Sequence, residues 1–550
     1  MPGILALLTV TFATVSTTTL LMLSAPAQPG GASNRTLPPD AAPLARQTLR
    51  MMSPEPRSLD AQVNLYDAEA TLLPWEPLLT RDEMWQPQPA TAERYSASKD
   101  GKTWTFYLRR GAKWSDGRPV TANDFVYAFR RMLDPAAANP YASFYYDIRN
   151  AEAISKGTLK DTTLLGVRAA DEATFVVETE RPAPYFPHIA SFPLAYPAPR
   201  WAIEKHGRRW TEVDKIVSSS PFKMSEWVRG SHMTFVADPN YNGPKRPYLQ
   251  KVVHPFRDDA VATILPYENN EVDIESVDIN ELDRIQKHPV LSKELVKAWG
   301  RTTWYILFKT TAPPFNDIRV REAFARVLDR DAICRTVLRN TAMPAYSMIP
   351  PDFKEYNGAV MKPVQSRDIA RAQQLMKDAG FPGGRGFPKQ EMWLRAPTPS
   401  ITMVASAIQS MLREHLNVEV TIRTADRTAY MSQLYDWKMN FGLIRFVADY
   451  VDPRNMLDMT WRSQPRGAGR HDWVNRRFDQ LVEQAGTELS PVTRTQLYRQ
   501  AEEILVRDYA AGFVFHPQNL ELRKPYVKGY AKNADGTVGS LVYTNLYIGK

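Results

Sequence analysis

Two aspartates flank a tyrosine where an apolar run ends, in "FGLIRFVADYVDPRNMLD" from Phe441 to Asp458. A carboxylate held away from water makes strong charge-assisted hydrogen bonds to an ammonium or guanidinium group, and such a pair survives desolvation when its geometry is good. Asp449 and Asp452 have a plainer use as well, because an aspartate at a turn accepts bonds from the backbone just ahead of it, and Asp452 directly precedes Pro453. The residues alone leave both uses open. Catalysis has less to stand on. The eight histidines are never closer than 18 positions, which excludes a local metal motif on one helix or hairpin. There is no G-x-S-x-G elbow, no phosphate loop and no G-x-G-x-x-G turn. The single cysteine, Cys334, lies in "VREAFARVLDRDAICRTVL", where apolar residues recur at helical spacing, so it reads as a small buried hydrophobe. A glycosidase-type carboxylate pair needs only spatial proximity, so an envelope hydrolase stays as an alternative of a different class.

The elements that must position Asp449 are legible nearby. Period two sends Leu443, Arg445, Val447 and Asp449 to one side of a strand, and Ile444, Phe446 and Ala448 to the other. Elsewhere "TWTFYLRR" from Thr103 alternates as a half-buried strand between the turn signals "KDG" and "SDG". "TANDFVYAFRRMLDP" predicts a helix capped by Thr121, with Phe125, Phe129 and Met132 on one face and a stop before Pro135. "DIARAQQLMKDAGF" predicts another helix, ending at Gly380. Strand and helix units of this kind give a mixed α/β architecture, and 550 residues imply two or three domains.

Composition is that of an ordinary globular chain, 43% hydrophobic and 23% charged. The net charge of +9 is spread without a long basic run or a nucleic-acid motif, so no nucleic-acid partner is expected. Residues 4–23 carry no charge, and "SAPA" at 24–27 supplies the small residues of a cleavage site. Export follows, with a mature chain beginning near Gln28. No Lys or Arg precedes the apolar stretch, which is long enough to serve as an uncleaved anchor instead.

A run of motifs carries a family resemblance. "AERYSASKDGKTWTFYLRRGAKWSDGRPVTANDFVYAFRRMLDP" is followed in order by "NPYAS", "PAPYF", "AIEKHGRRW", "PPFNDIRVREAFARVLDRDAI", "MPAYSMIPP" and the terminal "NLYIGK". In order and spacing these resemble the family 5 extracellular solute-binding proteins, in particular the oligopeptide receptors of ABC importers. The resemblance implies a two-lobed periplasmic-binding-protein fold with an additional domain, a discontinuous first lobe, no catalysis and no cofactor. Its expected boundaries are a signal peptide over 1–27 and a flexible lead-in over 28–45. Lobe I would comprise 46–79, 198–301 and 517–550, the additional domain 80–197, and lobe II 302–516. The implied partners of this monomeric receptor are a short peptide and an inner-membrane permease; a receptor retuned to another solute, such as a cell-wall peptide, is the alternative within the class.

The same resemblance assigns residues. The "ADY" triplet matches the place where oligopeptide receptors hold the ligand's α-ammonium, which gives Asp449 that role and leaves Asp452 structural. Phe446, Val447 and Ala448 would line the cleft beside it, and an extended peptide can pair with the strand backbone there. Tyr305 in "TTWYILFK" matches a cleft tyrosine, whereas Trp304 is expected in the core. Several positions depart from the pattern. Thr302 and Val447 stand where enterobacterial relatives have cysteines, Phe446 replaces a tryptophan, and Ile401 replaces a histidine that meets a peptide carboxylate. Arg395 lies one position from the register of an arginine that does this in the dipeptide branch. Arg445 is open to three uses: holding the ligand carboxylate, pairing with Asp449 in the empty protein, or facing water.

Overall fold

The alternation in Thr103–Leu108 buries Trp104, Phe106 and Leu108 and leaves the intervening residues half-covered. This strand is central in a four-stranded antiparallel sheet, between Ala92–Ala97 on one side and Thr174–Glu178 on the other, with Val167–Asp171 outermost. The helix Ala122–Leu133 covers it with Phe125, Phe129 and Met132 buried. Its start is fixed by the Thr121 amide, which donates to Asp124 Oδ2 at 2.8 Å. The computed structural model describes residues 35–68, 72–243, 245–257, 263–530 and 542–550, so the expected signal segment lies outside them.

A second four-stranded sheet joins Thr48–Arg50, Lys251–Pro255, His232–Ala237 and Phe222–Val228. One continuous apolar cluster runs through both small sheets, from Ala42 to Ile274, and takes in Val527, Leu546 and Ile548 from the end of the chain. Residues 35–45 of the lead-in are held against that end. Ala41 bridges Gly549, and Arg35 donates to the Thr544 carbonyl at 2.9 Å while stacking 3.6 Å above Tyr248.

The largest sheet has eight strands. Its spine runs Ile274–Ser276, Ala511–Arg523, Thr302–Phe308, Phe441–Val447, Gln390–Arg395 and Val420–Ala425. Apolar clusters cover both faces of its second-lobe half, one around Phe308, Phe324 and Phe441 and the other around Tyr305, Trp461 and Phe513. Ala511–Arg523 is the strand that spans the molecule: its first half pairs with Thr302–Phe308 and its second half with Leu295–Trp299 and Ile274–Ser276. The segments around Gly300–Arg301 and His516–Pro517 run side by side, and the Gly300 amide donates to the Pro517 carbonyl at 2.9 Å.

Cys334 is buried, and burial pushes its thiol up to about 12, so it is an inert core residue. Gly380 takes φ +94 just after the helix Ile369–Asp378, the left-handed conformation that a helix end favours and that a side chain would strain.

Candidate functional site

The Phe441–Val447 strand is paired along its full length on one edge, with Phe441 opposite Phe308 and Val447 opposite Thr302. Its other edge meets Gln390–Arg395 only at Phe441 and Gly442. Beyond Gly442 the two strands diverge, and from Leu443 to Val447 that edge has no strand partner among the described residues. An open backbone edge of this length is what an extended peptide completes.

Beside it lies a cavity of about 880 Å³. Its walls include Thr302, Trp304, Leu443, Arg445 and Phe515 from the large sheet, and Arg395 to Ile401 from the turn that leads into the helix Pro399–Leu416. Arg427, Tyr430 and Arg470 complete one side, and Ala298, Gln518, Asn519, Leu520, Glu521 and Arg523 lie near the Gly300–Pro517 contact. The volume suits a short peptide.

The expected site residues divide between this cavity and the core. Arg445 is exposed on the cavity wall, 5.6 Å from the Trp304 ring, and forms no ion pair with Asp449. Although the residue as a whole is exposed, the cavity walls desolvate its guanidinium, and together with the charges of Arg395 and Arg427 this lowers its pKa. Val447 is 45% exposed and stands opposite Thr302, so the two positions where the resemblance expected cysteines are cross-strand partners here. Phe446 is half-buried under Arg470, at 5.1 Å, and Ala448 is buried with its amide donating to the Arg301 carbonyl at 2.8 Å.

Tyr305 departs from expectation. It is 0% exposed, packs on Trp461 and Phe513, and its hydroxyl meets His471 Nε2 at 3.1 Å. Trp304, expected in the core, is the ring that lines the cavity, stacked on Phe515. The cause is the pairing register. Trp304 lies opposite Arg445, and Tyr305 opposite Ile444, so the strand face that carries the arginine is the face that carries Trp304. The single cation in an otherwise apolar strand is the signal that marks the wet face.

Asp449 follows the strand as a partly buried residue, outside the cavity lining proper. Its amide donates to Asn455 Oδ1 at 2.8 Å, and its Oδ2 accepts from Asn455 Nδ2 at 3.2 Å. Desolvation raises its pKa to about 6, against the Asn455 hydrogen bond and the charges of Arg81 and Arg470. Tyr141 feels the Asp449 charge and joins Tyr66 through their hydroxyls at 3.2 Å. Sequence reasoning missed both tyrosines, which come from a stretch 300 or more positions earlier. Asp452, by contrast, has the structural role: it is buried, accepts from the Arg454 amide at 3.0 Å, and meets Arg494 through two bonds of 2.7 Å. Arg494 outweighs burial and holds Asp452 down at about 2.

Nothing in this geometry forms a catalytic set. The buried His471 is stacked on Trp461 with ring centres 3.8 Å apart, and no group of three or more His, Cys, Asp or Glu side chains converges on a metal position among the described residues. What the site offers is an open strand edge, an aromatic wall, a desolvated carboxylate at one end and several guanidiniums.

Known proteins resemble this chain over most of its length. Residues 86–468 match the bacterial extracellular solute-binding proteins, family 5. The probable deoxycholate-binding periplasmic protein YgiS of Escherichia coli is 31% identical over 90% of this chain and 92% of its own. The periplasmic oligopeptide-binding protein OppA of Salmonella typhimurium is 31% identical over 86% and 87%. Among solved structures, the murein tripeptide-binding protein MppA of Escherichia coli superposes with a TM-score of 0.76 at 27% identity, covering 92% of this chain and 98% of its own. OppA of Haemophilus influenzae in complex with RPPGFSPFR gives 0.74 at 25% identity, covering 92% and 99%. With the motifs, the two-lobed α/β fold and most of the length in agreement, the chain belongs to the family 5 bacterial extracellular solute-binding proteins.

Proposed function

We propose that this exported receptor captures short peptides in the interlobe cavity and delivers them to the membrane permease of an ABC importer. The observation that carries the reading is the backbone edge from Leu443 to Val447, open on the cavity side and ending two residues before a desolvated carboxylate. A peptide adds a strand to such an edge through main-chain bonds that ignore side-chain identity, while Asp449 takes the α-ammonium. Family membership supports binding without catalysis. The names of OppA, which concern oligopeptides, and of MppA, which concern a murein tripeptide, support a peptide ligand. YgiS is named for deoxycholate, but a steroid has no amide backbone to satisfy an open strand edge.

Location follows as a periplasmic or equivalent exported protein. No helix among the described residues is long and apolar enough to cross a membrane. Fractionation that finds only full-length chain in the membrane would replace a cleaved receptor by an anchored one. Lobe closure over the ligand would turn about the adjacent segments at Gly300–Arg301 and His516–Pro517, and small-angle scattering should record compaction on adding peptide.

The decisive test concerns Asp449. Replacing it by asparagine keeps the shape and strands a buried cation on the ligand, which costs about 2 to 5 kcal/mol. Calorimetry should show a loss of that size for free peptides with Asp449→Asn, and a similar loss for N-acetylated peptides with the natural protein. The acetyl group also tests steric room, so the double cycle is the informative quantity. Equal discrimination between free and acetylated peptide by both proteins would leave Asp449 as a turn residue.

A further inference from the structure

Four guanidiniums from four separate elements line one cavity. Arg395 closes the strand Gln390–Arg395, Arg427 opens the helix Arg427–Tyr435, Arg445 lies in Phe441–Val447, and Arg470 precedes the helix Arg476–Thr487. Among the described residues none has a carboxylate oxygen within the 4.0 Å of an ion pair. Their contacts leave the charge uncompensated. Arg427 stacks 3.9 Å over Tyr66, Arg445 lies 5.6 Å from Trp304, and Arg470 lies 5.1 Å from Phe446 while Nη2 donates to the Arg445 carbonyl at 3.2 Å. Arg395 Nη1 meets only the Met431 sulfur, at 3.8 Å.

None of the carboxylates nearby pairs with these four arginines. Glu521 pairs with Arg523 at 2.8 Å, Asp278 caps the Asn280 amide at 2.9 Å, and Asp449 is bonded to Asn455. Burial, and then the charges of their arginine neighbours, depress the basicity of both Arg395 and Arg445. Two donors within the group also lack partners: the buried Tyr430 hydroxyl and Arg470 Nε. Gathering like charges around a cavity is unfavourable in the empty protein and becomes favourable only when anionic groups arrive. One terminal carboxylate engages one guanidinium in a two-pronged pair, which leaves the remaining arginines still without a counter-charge.

We propose that this receptor selects short peptides bearing acidic side chains in addition to the terminal carboxylate, and that Arg395, Arg427, Arg445 and Arg470 read them. This rests on the peptide reading above and adds the chemical class of its ligands. Backbone pairing along Leu443–Val447 would hold any peptide, and the arginine wall would sort peptides by charge.

The test is calorimetry on the full receptor, freed of ligand, with three tripeptides of matched length: Ala-Glu-Glu, Ala-Gln-Gln and Ala-Lys-Lys. The natural protein should bind Ala-Glu-Glu at least about tenfold more tightly than Ala-Gln-Gln, with Ala-Lys-Lys weakest, and added salt should narrow the spread. In Arg395→Gln, in Arg445→Gln and in the double variant, the Glu-to-Gln affinity ratio should fall toward one. Retained binding of Ala-Gln-Gln shows that a variant is folded, and a thermal melt checks any variant that binds nothing. Equal binding of the Glu and Gln peptides by the natural protein, or a ratio unmoved in the variants, overturns the acidic preference and leaves a general peptide receptor. Binding of none of the three overturns the peptide reading and this proposal with it.

Discussion

Arg454 and Arg494 each meet buried carboxylates, whereas Arg395 and Arg445 on the cavity wall meet none. Arg494 grips Asp452 with two bonds of 2.7 Å, and Arg454 reaches Asp147, 307 positions earlier, at 2.6 Å, where Asp147 also accepts from Arg181 at 2.7 Å. Tyr450 joins the same contact, entering the apolar cluster that runs through the two small sheets and packing against Phe144 and His188. Burial and pairing both separate the two regimes: Arg454 is buried and ion-paired, whereas Arg445 is exposed and forms no ion pair among the described residues. A buried charge that the fold itself neutralises belongs to the architecture.

The sharpest way to break that comparison is to remove one partner from each region. Asp452→Asn strands the Arg494 guanidinium and should cost about 3 to 5 kcal/mol of stability, read by denaturant unfolding. The pH dependence follows in sign. Arg494 depresses the Asp452 pKa to about 2, so its contribution is present above the ordinary aspartate range and is lost as pH falls through about 2. Asp449→Asn should behave oppositely in the empty protein. Its pKa is raised to about 6, so the ionised group opposes folding above that pH, and the variant should be as stable as the natural protein or more so at neutral pH. Loss of stability in Asp449→Asn comparable to that in Asp452→Asn would erase the distinction between the two carboxylates.

Acid is the second lever, and its effect is smaller. The groups facing Asp449 are Asn455, Arg81, Arg470 and Tyr141, with no histidine or second carboxylate among them. Only the ionised carboxylate accepts an ammonium without competing for its proton. Affinity for free-amino peptides should therefore fall about tenfold from about pH 7 to about pH 5, while N-acetylated peptides change much less. A parallel decline for both peptide types would point to a site other than Asp449.

Much of the framework was legible in the sequence because one side of each element faces water. Thr103–Leu108 alternates and Ala122–Leu133 carries its apolar stripe for that reason, whereas Phe441–Val447 is buried on both sides over its first four residues and opens only from Arg445. The same logic failed at Thr302–Phe308, whose two faces are both apolar, so period two could not tell which ring meets the cavity. The arginine wall was readable only in part. Arg445 and Arg395 stood out as cations near the expected site, but Arg427 and Arg470 join them from other elements, with no spacing to announce the cluster. Likewise Arg454 and Asp147 are 307 positions apart, and such a pair is a property of the fold and not of any segment.

The smallest effect tests the two neighbouring rings. Tyr305 places its hydroxyl on His471 in the sealed face of the sheet, and Trp304 places its ring on the cavity face. Tyr305→Phe removes one buried hydrogen bond and should cost about 1 kcal/mol of stability, read as a lower melting temperature. Its peptide affinity should stay within about a factor of two, because nothing on the cavity face has changed. Trp304→Ala should do the reverse, weakening affinity by removing an apolar wall that touches ligand. A Tyr305→Phe variant that melts normally yet binds peptide about tenfold more weakly would put the hydroxyl in contact with ligand, and the pairing of Trp304 with Arg445 would then no longer identify the face that does the binding.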